Sequence, residues 1–396
     1  MRKHIFVRNL LFVLIVIYFL QGLLYRTGSI ISQLTLAIYF LICLYYFIEI
    51  IPSNKKNPFV NSLIGFLLMI LLYYLFSQKV YIKSDGEAAN TINYLKGVLF
   101  AFLTFFPFYF FSKKGCLKRE NLIIFFIIYG IITVFRFFYS QTLLRNEYLQ
   151  SDVINNAAYD VLSLFPFIFL IADKKILSSI VFILLFSIVL MGIKRGAILI
   201  ALIATIIYVL YLVKAGDKFK FRNFLTGLIL LAFLGYFLHR FYSTNVFLQS
   251  RLLVLLEGGV SGRDVIYSKI YNYWKDSENM ANLFFGYGLW SSIKIAGNAA
   301  HNDWLELLSN CGIMGVLIYL SLFYCLYISM KKTKELDKKF MLLMILIIWF
   351  MKTLFSMAYM EMNMAPLMML LGYIYGNEEL NNNMKIISNK NFSTYV

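Results

Sequence analysis

Charge is what this chain has least of: 14 % of its 396 residues are Asp, Glu, Lys or Arg, against 61 % that are hydrophobic. Soluble domains carry about 25 % charged residues, so water is not the main solvent here. Cysteine is scarce too, with four in all. Cys43, Cys311 and Cys325 fall in apolar runs and Cys116 in a basic stretch, which excludes a disulfide framework or a cysteine metal quartet. Cys311 and Cys325 share one expected helix, about 21 Å apart at the helical rise, and cannot pair. Acidic residues are few, 20 against 37 basic ones, for a formal net charge of +17. No separate basic domain carries that excess, which argues against nucleic acid as a partner. Internal repeats are also missing, and charged residues do not recur mid-span at matching positions in two halves. Both absences count against a transporter.

What the chain does have is a series of apolar runs near 20 residues, the length that crosses a ~30 Å hydrocarbon core. Twelve spans are expected: 5–24, 30–51, 59–77, 95–112, 121–139, 154–172, 176–193, 196–213, 223–241, 304–330, 340–359 and 362–376. No small-residue cleavage site follows Ile5–Leu24, so it reads as a span rather than a signal peptide. Pro107, Pro166 and Pro366 lie inside spans, where neighbouring helices can satisfy the freed backbone groups. The expected fold is an all-α, polytopic membrane helical bundle. It comprises an N-terminal bundle over 1–241, a long extracytoplasmic loop over 242–303, C-terminal membrane helices over 304–376 and a cytoplasmic tail over 377–396.

Orientation follows from Lys and Arg. With an inside N-terminus, 22 of the 37 basic residues fall in the inner segments. The positive-inside rule then puts both termini in the cytoplasm and the 242–303 segment outside. Within that segment Arg263–Lys275 spaces Ile266, Ile270, Tyr273 and Trp274 as on one helix face. Such a helix can lie at headgroup depth, or its Tyr267, Tyr271, Tyr273 and Trp274 can stack on sugars.

Few residues could carry chemistry. Lys194 and Arg195 form a basic turn on the side where the charge rule disfavours one. They read as an anion site, with Gly192 and Gly196 letting a ligand approach the backbone, or as a snorkelling pair at two helix ends. Arg263 follows Ser261-Gly262 in the long loop. His301 opens His301-Asn302-Asp303-Trp304-Leu305-Glu306, in which Asp303 and Glu306 have the spacing of an N-cap and its N3 partner, starting a helix at Trp304. The positive end of that helix would keep His301 neutral and able to act as a base. Asp85-Gly86-Glu87 has the form of an acidic metal-holding pair, a pattern common by chance.

Taken together, IKRGAIL, SGRDVIY and GYG…HNDWLELLSNCGIMG resemble the bacterial O-antigen polymerase and O-antigen ligase family over about residues 190–330, with Asn155–Tyr159 a fainter echo. Arg195, Arg263 and His301 match the family's two arginines and histidine, and Lys194 departs from its usual small polar residue. The resemblance implies a fold like the class C glycosyltransferases in a bacterial plasma membrane. It implies an undecaprenyl-diphosphate-linked oligosaccharide as substrate, membrane lipids and a chain-length regulator protein as partners, and no metal or other cofactor. Arg195 and Arg263 would bind the diphosphate and His301 would be catalytic, with Lys194 and Asn302 in secondary roles. Polymerisation of lipid-linked repeat units is the leading expectation. Ligation of glycan onto lipid A–core comes second, and a polysaccharide flippase third.

Overall fold

The computed structural model describes residues 2–53, 57–149, 152–215, 220–247, 249–250, 253 and 263–393. The expected all-α bundle is what the described residues form, with one two-stranded hairpin added. The first helices are α1 (Arg2–Phe19), α2 (Ile30–Ile50), α3 (Pro58–Phe76), α4 (Thr91–Leu103), α5 (Phe105–Lys113) and α6 (Arg119–Tyr148). They continue with α7 (Ala158–Leu162), α8 (Lys175–Met191), α9 (Arg195–Lys214) and α10 (Lys220–Thr244). Next come α11 (Arg263–Lys275), α12 (Met280–Phe285), α13 (Ser291–Ala296), α14 (Asp303–Lys332), α15 (Leu336–Phe355) and α16 (Met364–Ser393). Strands β1 (Val80–Ile82) and β2 (Ala88–Asn90) pair antiparallel between α3 and α4.

Among the described residues, six helical stretches are long and apolar enough to cross a membrane: Ile30–Ile50, Pro58–Phe76, Thr91–Lys113, Arg119–Tyr148, Arg195–Lys214 and Asp303–Lys332. Two expected spans differ in form. The 95–112 run breaks at Thr104 into α4 and α5. The 154–172 run becomes α7 and a 3₁₀ segment, Phe165–Ile171, with Pro166 in its first turn. This segment is buried from Phe165 to Leu170, so its apolar character serves the protein core rather than lipid. The expected tail over 377–396 is helical as far as Ser393, as a continuation of α16.

The first turns of α16 are buried on every side, from Met364 to Ile374, and pack most extensively on α5. Glycine permits the contact. A Cβ on Gly372 would stand 2.6 Å from the Phe105 carbonyl oxygen, and one on Gly376 would stand 2.3 Å from that of Tyr109. Small residues at such crossings let helices pack closely where lipid supplies no hydrophobic drive. All four cysteines are free, as expected.

Several of the basic connections carry ion pairs at one end of the bundle. There Lys113 pairs with Glu379 at 2.7 Å, Arg119 with Asp173, and Lys338 with Glu335 at 2.8 Å. Tyr211 donates to Asp337 at 2.8 Å at the same end. The hairpin, α11–α13, and the start of α9 and α14 gather at the other.

Candidate functional site: a basic cluster around Phe355 and Tyr159

Asn302 sets the start of α14. Its side-chain oxygen accepts from the backbone N–H of Trp304 at 3.0 Å and of Leu305 at 3.1 Å. The sequence put Asp303 in this capping role, and the structure corrects that. Asp303 and Glu306 are fully buried and serve as internal acceptors instead. Asp303 accepts from the Tyr319 hydroxyl at 2.7 Å and the Ala358 N–H at 2.8 Å. Glu306 accepts from the Ser292 hydroxyl (2.8 Å), the Ala300 N–H (3.0 Å) and the Asn310 amide (3.1 Å). A buried carboxylate needs such donors, and the Ala300 bond fixes the backbone just before His301.

Farther along, α14 breaks at Gly312, whose φ of 63° and ψ of −162° are not helical. The break leaves carbonyls to be satisfied from elsewhere. Tyr287 N–H donates to the Ser309 carbonyl at 2.8 Å and Gly288 N–H to that of Asn310 at 3.0 Å. The two motif fragments GYG and HNDWLELLSNCGIMG are therefore parts of one joint.

At the C-terminus of α15, the Phe355 carbonyl accepts from Arg263 Nη1 at 2.9 Å, and the Leu354 carbonyl from the Asn302 amide at 3.4 Å. The negative end of a helix suits a cation there. The start of α9 reaches the same place. A Cβ on Gly196 would lie 2.4 Å from the Tyr159 hydroxyl and 2.8 Å from the Phe355 Cβ. The ammonium groups of Lys194 and Lys352 stand 5.9 and 5.6 Å from the Tyr159 ring centre. Lys352 is buried and ion-paired with Glu361, and it donates to Asn363 at 2.5 Å. Asn363 in turn donates to Asp160 at 2.8 Å.

The structure thus brings Lys194, Arg263, His301 and Asn302 around the end of α15, with Arg195 as the first residue of α9 beside them. Ser261 and Gly262 lie outside the described residues. Gly192 and Gly196 face neighbouring side chains rather than the open space expected beside the backbone. They make room for Ala158 and Phe137 in one case, and for Tyr159 and Phe355 in the other.

Among the described residues, two of the four non-glycine residues with positive φ belong to this cluster or adjoin it in sequence: Ile193, next to Lys194, at 50° and His301 at 51°. Histidine tolerates that region better than most residues, whereas a β-branched isoleucine there is strained, and such strain concentrates at functional sites. His301 is exposed, yet its pKa is lowered from the usual histidine value. Desolvation by the surrounding protein is the main cause, followed by the charges of Arg263 and Lys194, with Glu361 opposing. A lowered pKa favours the neutral imidazole, by desolvation and neighbouring cations rather than by the helix dipole expected from the sequence.

Helix α11 has the expected bounds, and its aromatic side is divided. Ile270 is buried, and the Trp274 indole donates to the Leu283 carbonyl at 3.1 Å. Tyr273 lies 5.0 Å from Tyr287, and both line a groove of about 650 Å³ with Asn272, Asp276 and Asn282. Asp85-Gly86-Glu87 forms the turn beyond β1, where Glu87 pairs with Lys83 at 2.7 Å and Asp85 accepts from the Glu87 N–H.

Tyr159, Lys352 and Glu361 were missed as site residues. A lysine inside an apolar run is a signal in its own right, and Lys352 carried it.

The arrangement is that of a helical bundle, with membrane-length apolar helices, that concentrates positive charge beside a histidine whose pKa is lowered. No protein-family model matches the chain, and no curated protein matches it.

Proposed function

We propose that the chain is a glycosyltransferase of the bacterial plasma membrane that polymerises undecaprenyl-diphosphate-linked oligosaccharide repeat units of a surface polysaccharide. The observation that carries this reading is the meeting of Arg263, Lys194, the start of α9 and His301 around one helix end, from segments far apart in sequence. In this reading the membrane-length apolar runs are crossings of a class C-like bundle, and the His301 end faces outward.

The chemistry needs little else. The acceptor hydroxyl oxygen attacks the anomeric carbon, and the bond from that carbon to the diphosphate oxygen breaks. Undecaprenyl diphosphate departs with the electron pair, and the hydroxyl proton passes to neutral His301. Arg195 and Arg263 hold the diphosphate, with preorganised donors worth on the order of 10²–10³ in rate. A positioned base contributes roughly 10²–10⁴. The diphosphate is already a good leaving group, so the reaction calls for no metal.

The test is to incubate the purified protein with a lipid-diphosphate-linked repeat unit alone. A ladder of products supports polymerisation. Product formed only after a lipid A–core acceptor is added makes the chain a ligase. No transfer under either condition refutes the reading.

A further inference from the structure

Tyr159 is 4 % exposed, and its hydroxyl is a buried polar atom without a hydrogen-bond partner. Its neighbours show where it is directed. The oxygen lies 2.4 Å from where a Cβ of Gly196 would stand, so it points at the first turn of the 20-residue helix α9. In that turn the N–H groups of Gly196 and Ala197 precede Ile198, whose N–H bonds the Lys194 carbonyl at 3.0 Å. Helix starts of this kind bind anions, because amide donors and the positive end of the dipole coincide.

The charges nearby favour an anion as well. Lys194 and Lys352 stand over the Tyr159 ring, Arg263 binds the carbonyl of Phe355 beside it, and Arg195 begins α9 there. The acidic groups present are already engaged, Glu361 with Lys352 and Ser356, and Asp160 with Asn363. Burying a hydroxyl with no partner is costly, so its retention at such a position calls for an occasional partner.

We propose that the Tyr159 hydroxyl and the first-turn amides of α9 form the seat for one phosphate of a diphosphate ligand. This deepens the function proposed above and rests on it. Phe355 and the hydroxyl share the space beside Gly196: a Cβ there would stand 2.8 Å from the Phe355 Cβ and 2.4 Å from the hydroxyl. Arg263 holds the carbonyl of that same Phe355. A diphosphate that draws the guanidinium to itself releases Phe355 and opens the seat, so Arg263 both recognises the anion and uncovers its second set of donors. Gly196 belongs to the seat because any side chain there would occupy the position of the hydroxyl.

Tyr159→Phe in the full-length protein tests the seat, since it keeps the ring and removes only the unpartnered oxygen. Binding of undecaprenyl diphosphate, of uncharged undecaprenol and of inorganic pyrophosphate is measured alongside thermal unfolding. The variant should melt no lower than wild type, because the hydroxyl makes no hydrogen bond within the chain. It should bind both diphosphate-containing probes about tenfold or more weakly, as expected for loss of a hydrogen bond to a charged group, and undecaprenol unchanged. Unaltered affinity for undecaprenyl diphosphate or pyrophosphate overturns the seat, as does a clear drop in melting temperature, which would reveal a structural partner. A wild-type protein that does not prefer undecaprenyl diphosphate to undecaprenol refutes instead the function on which the seat rests.

Discussion

Gly286 and Gly312 lie backbone against backbone: a Cβ on Gly286 would stand 2.6 Å from the Gly312 nitrogen, and one on Gly312 2.4 Å from the Phe284 carbonyl carbon. Both have positive φ, 71° and 63°. Gly312→Ala would therefore meet a steric and a conformational penalty together, and should cost about 2–4 kcal/mol of stability. Gly65→Ala, in the interior of α3 with nothing within 4 Å, should leave stability unchanged or raise it by about 0.5–1 kcal/mol. Thermal unfolding of the two variants side by side is the check. Equal melting temperatures would remove the joint from the account of the site.

Glu306 connects three pieces of backbone that share no helix: Ser292 on α13, Ala300 in the loop and Asn310 on α14. Glu306→Ala would leave the Ser292 hydroxyl and the Ala300 N–H buried without this acceptor and should destabilise the protein by roughly 2–4 kcal/mol. Melting curves would show this. A loss below about 1 kcal/mol would mean that the carboxylate is not the support of the His301 loop.

Much of the helical framework was legible in the sequence because apolar length and charge-free spacing are local properties. Arg263–Lys275 was expected as a helix and forms one with those bounds. The role of Asp303 was not legible. Its spacing to Glu306 fits a capping box, and only tertiary contacts from Tyr319 and Ala358 turn it into a buried acceptor. Tyr159 was equally hidden, because its importance lies in what surrounds it, including Gly196 and Lys352, 37 and 193 residues away. The breaks at Thr104 and in the Pro166 segment show another limit. Hydropathy reports burial in an apolar setting, whether that setting is lipid or the protein's own core.

If the basic connections mark the cytoplasmic side, a single cysteine at Glu278 should react with an impermeant maleimide from outside intact cells. One at Lys334 should react only after permeabilisation. Both positions are exposed, and they sit at opposite ends of the bundle. The reverse labelling pattern would invert the orientation and with it the outward-facing site.

Arg263 reaches the Phe355 carbonyl through one guanidinium nitrogen, which leaves the rest of the fork for a ligand. Arg263→Ala should lower glycan transfer by roughly 10²–10³. Arg263→Lys should fall between wild type and Ala, since an ammonium supplies charge without the planar pair of donors. Initial rates on the lipid-linked repeat unit measure this, and full activity in the Lys variant would argue against bidentate recognition.

His301 gives the prediction with the clearest sign. Its pKa is lowered by desolvation and by the charges of Arg263 and Lys194, so the imidazole takes up its proton at a lower pH than an ordinary histidine. A neutral imidazole acts as the base, so transfer should rise with pH through the lowered pKa and then level off. His301→Ala should reduce turnover by roughly 10²–10⁴ while leaving affinity for undecaprenyl diphosphate nearly intact, and the rising acidic limb should vanish. Arg263→Ala removes one of the charges that hold the pKa down, so the residual activity of that variant should show the limb displaced to higher pH. A charged histidine acting as a phosphate ligand requires the opposite trend: activity falling as pH rises, with a marked loss of donor affinity on substitution. Rates and donor binding measured from pH 5 to 9 for wild type and both variants separate the two roles. A wild-type profile that declines with pH would end the assignment of His301 as the base.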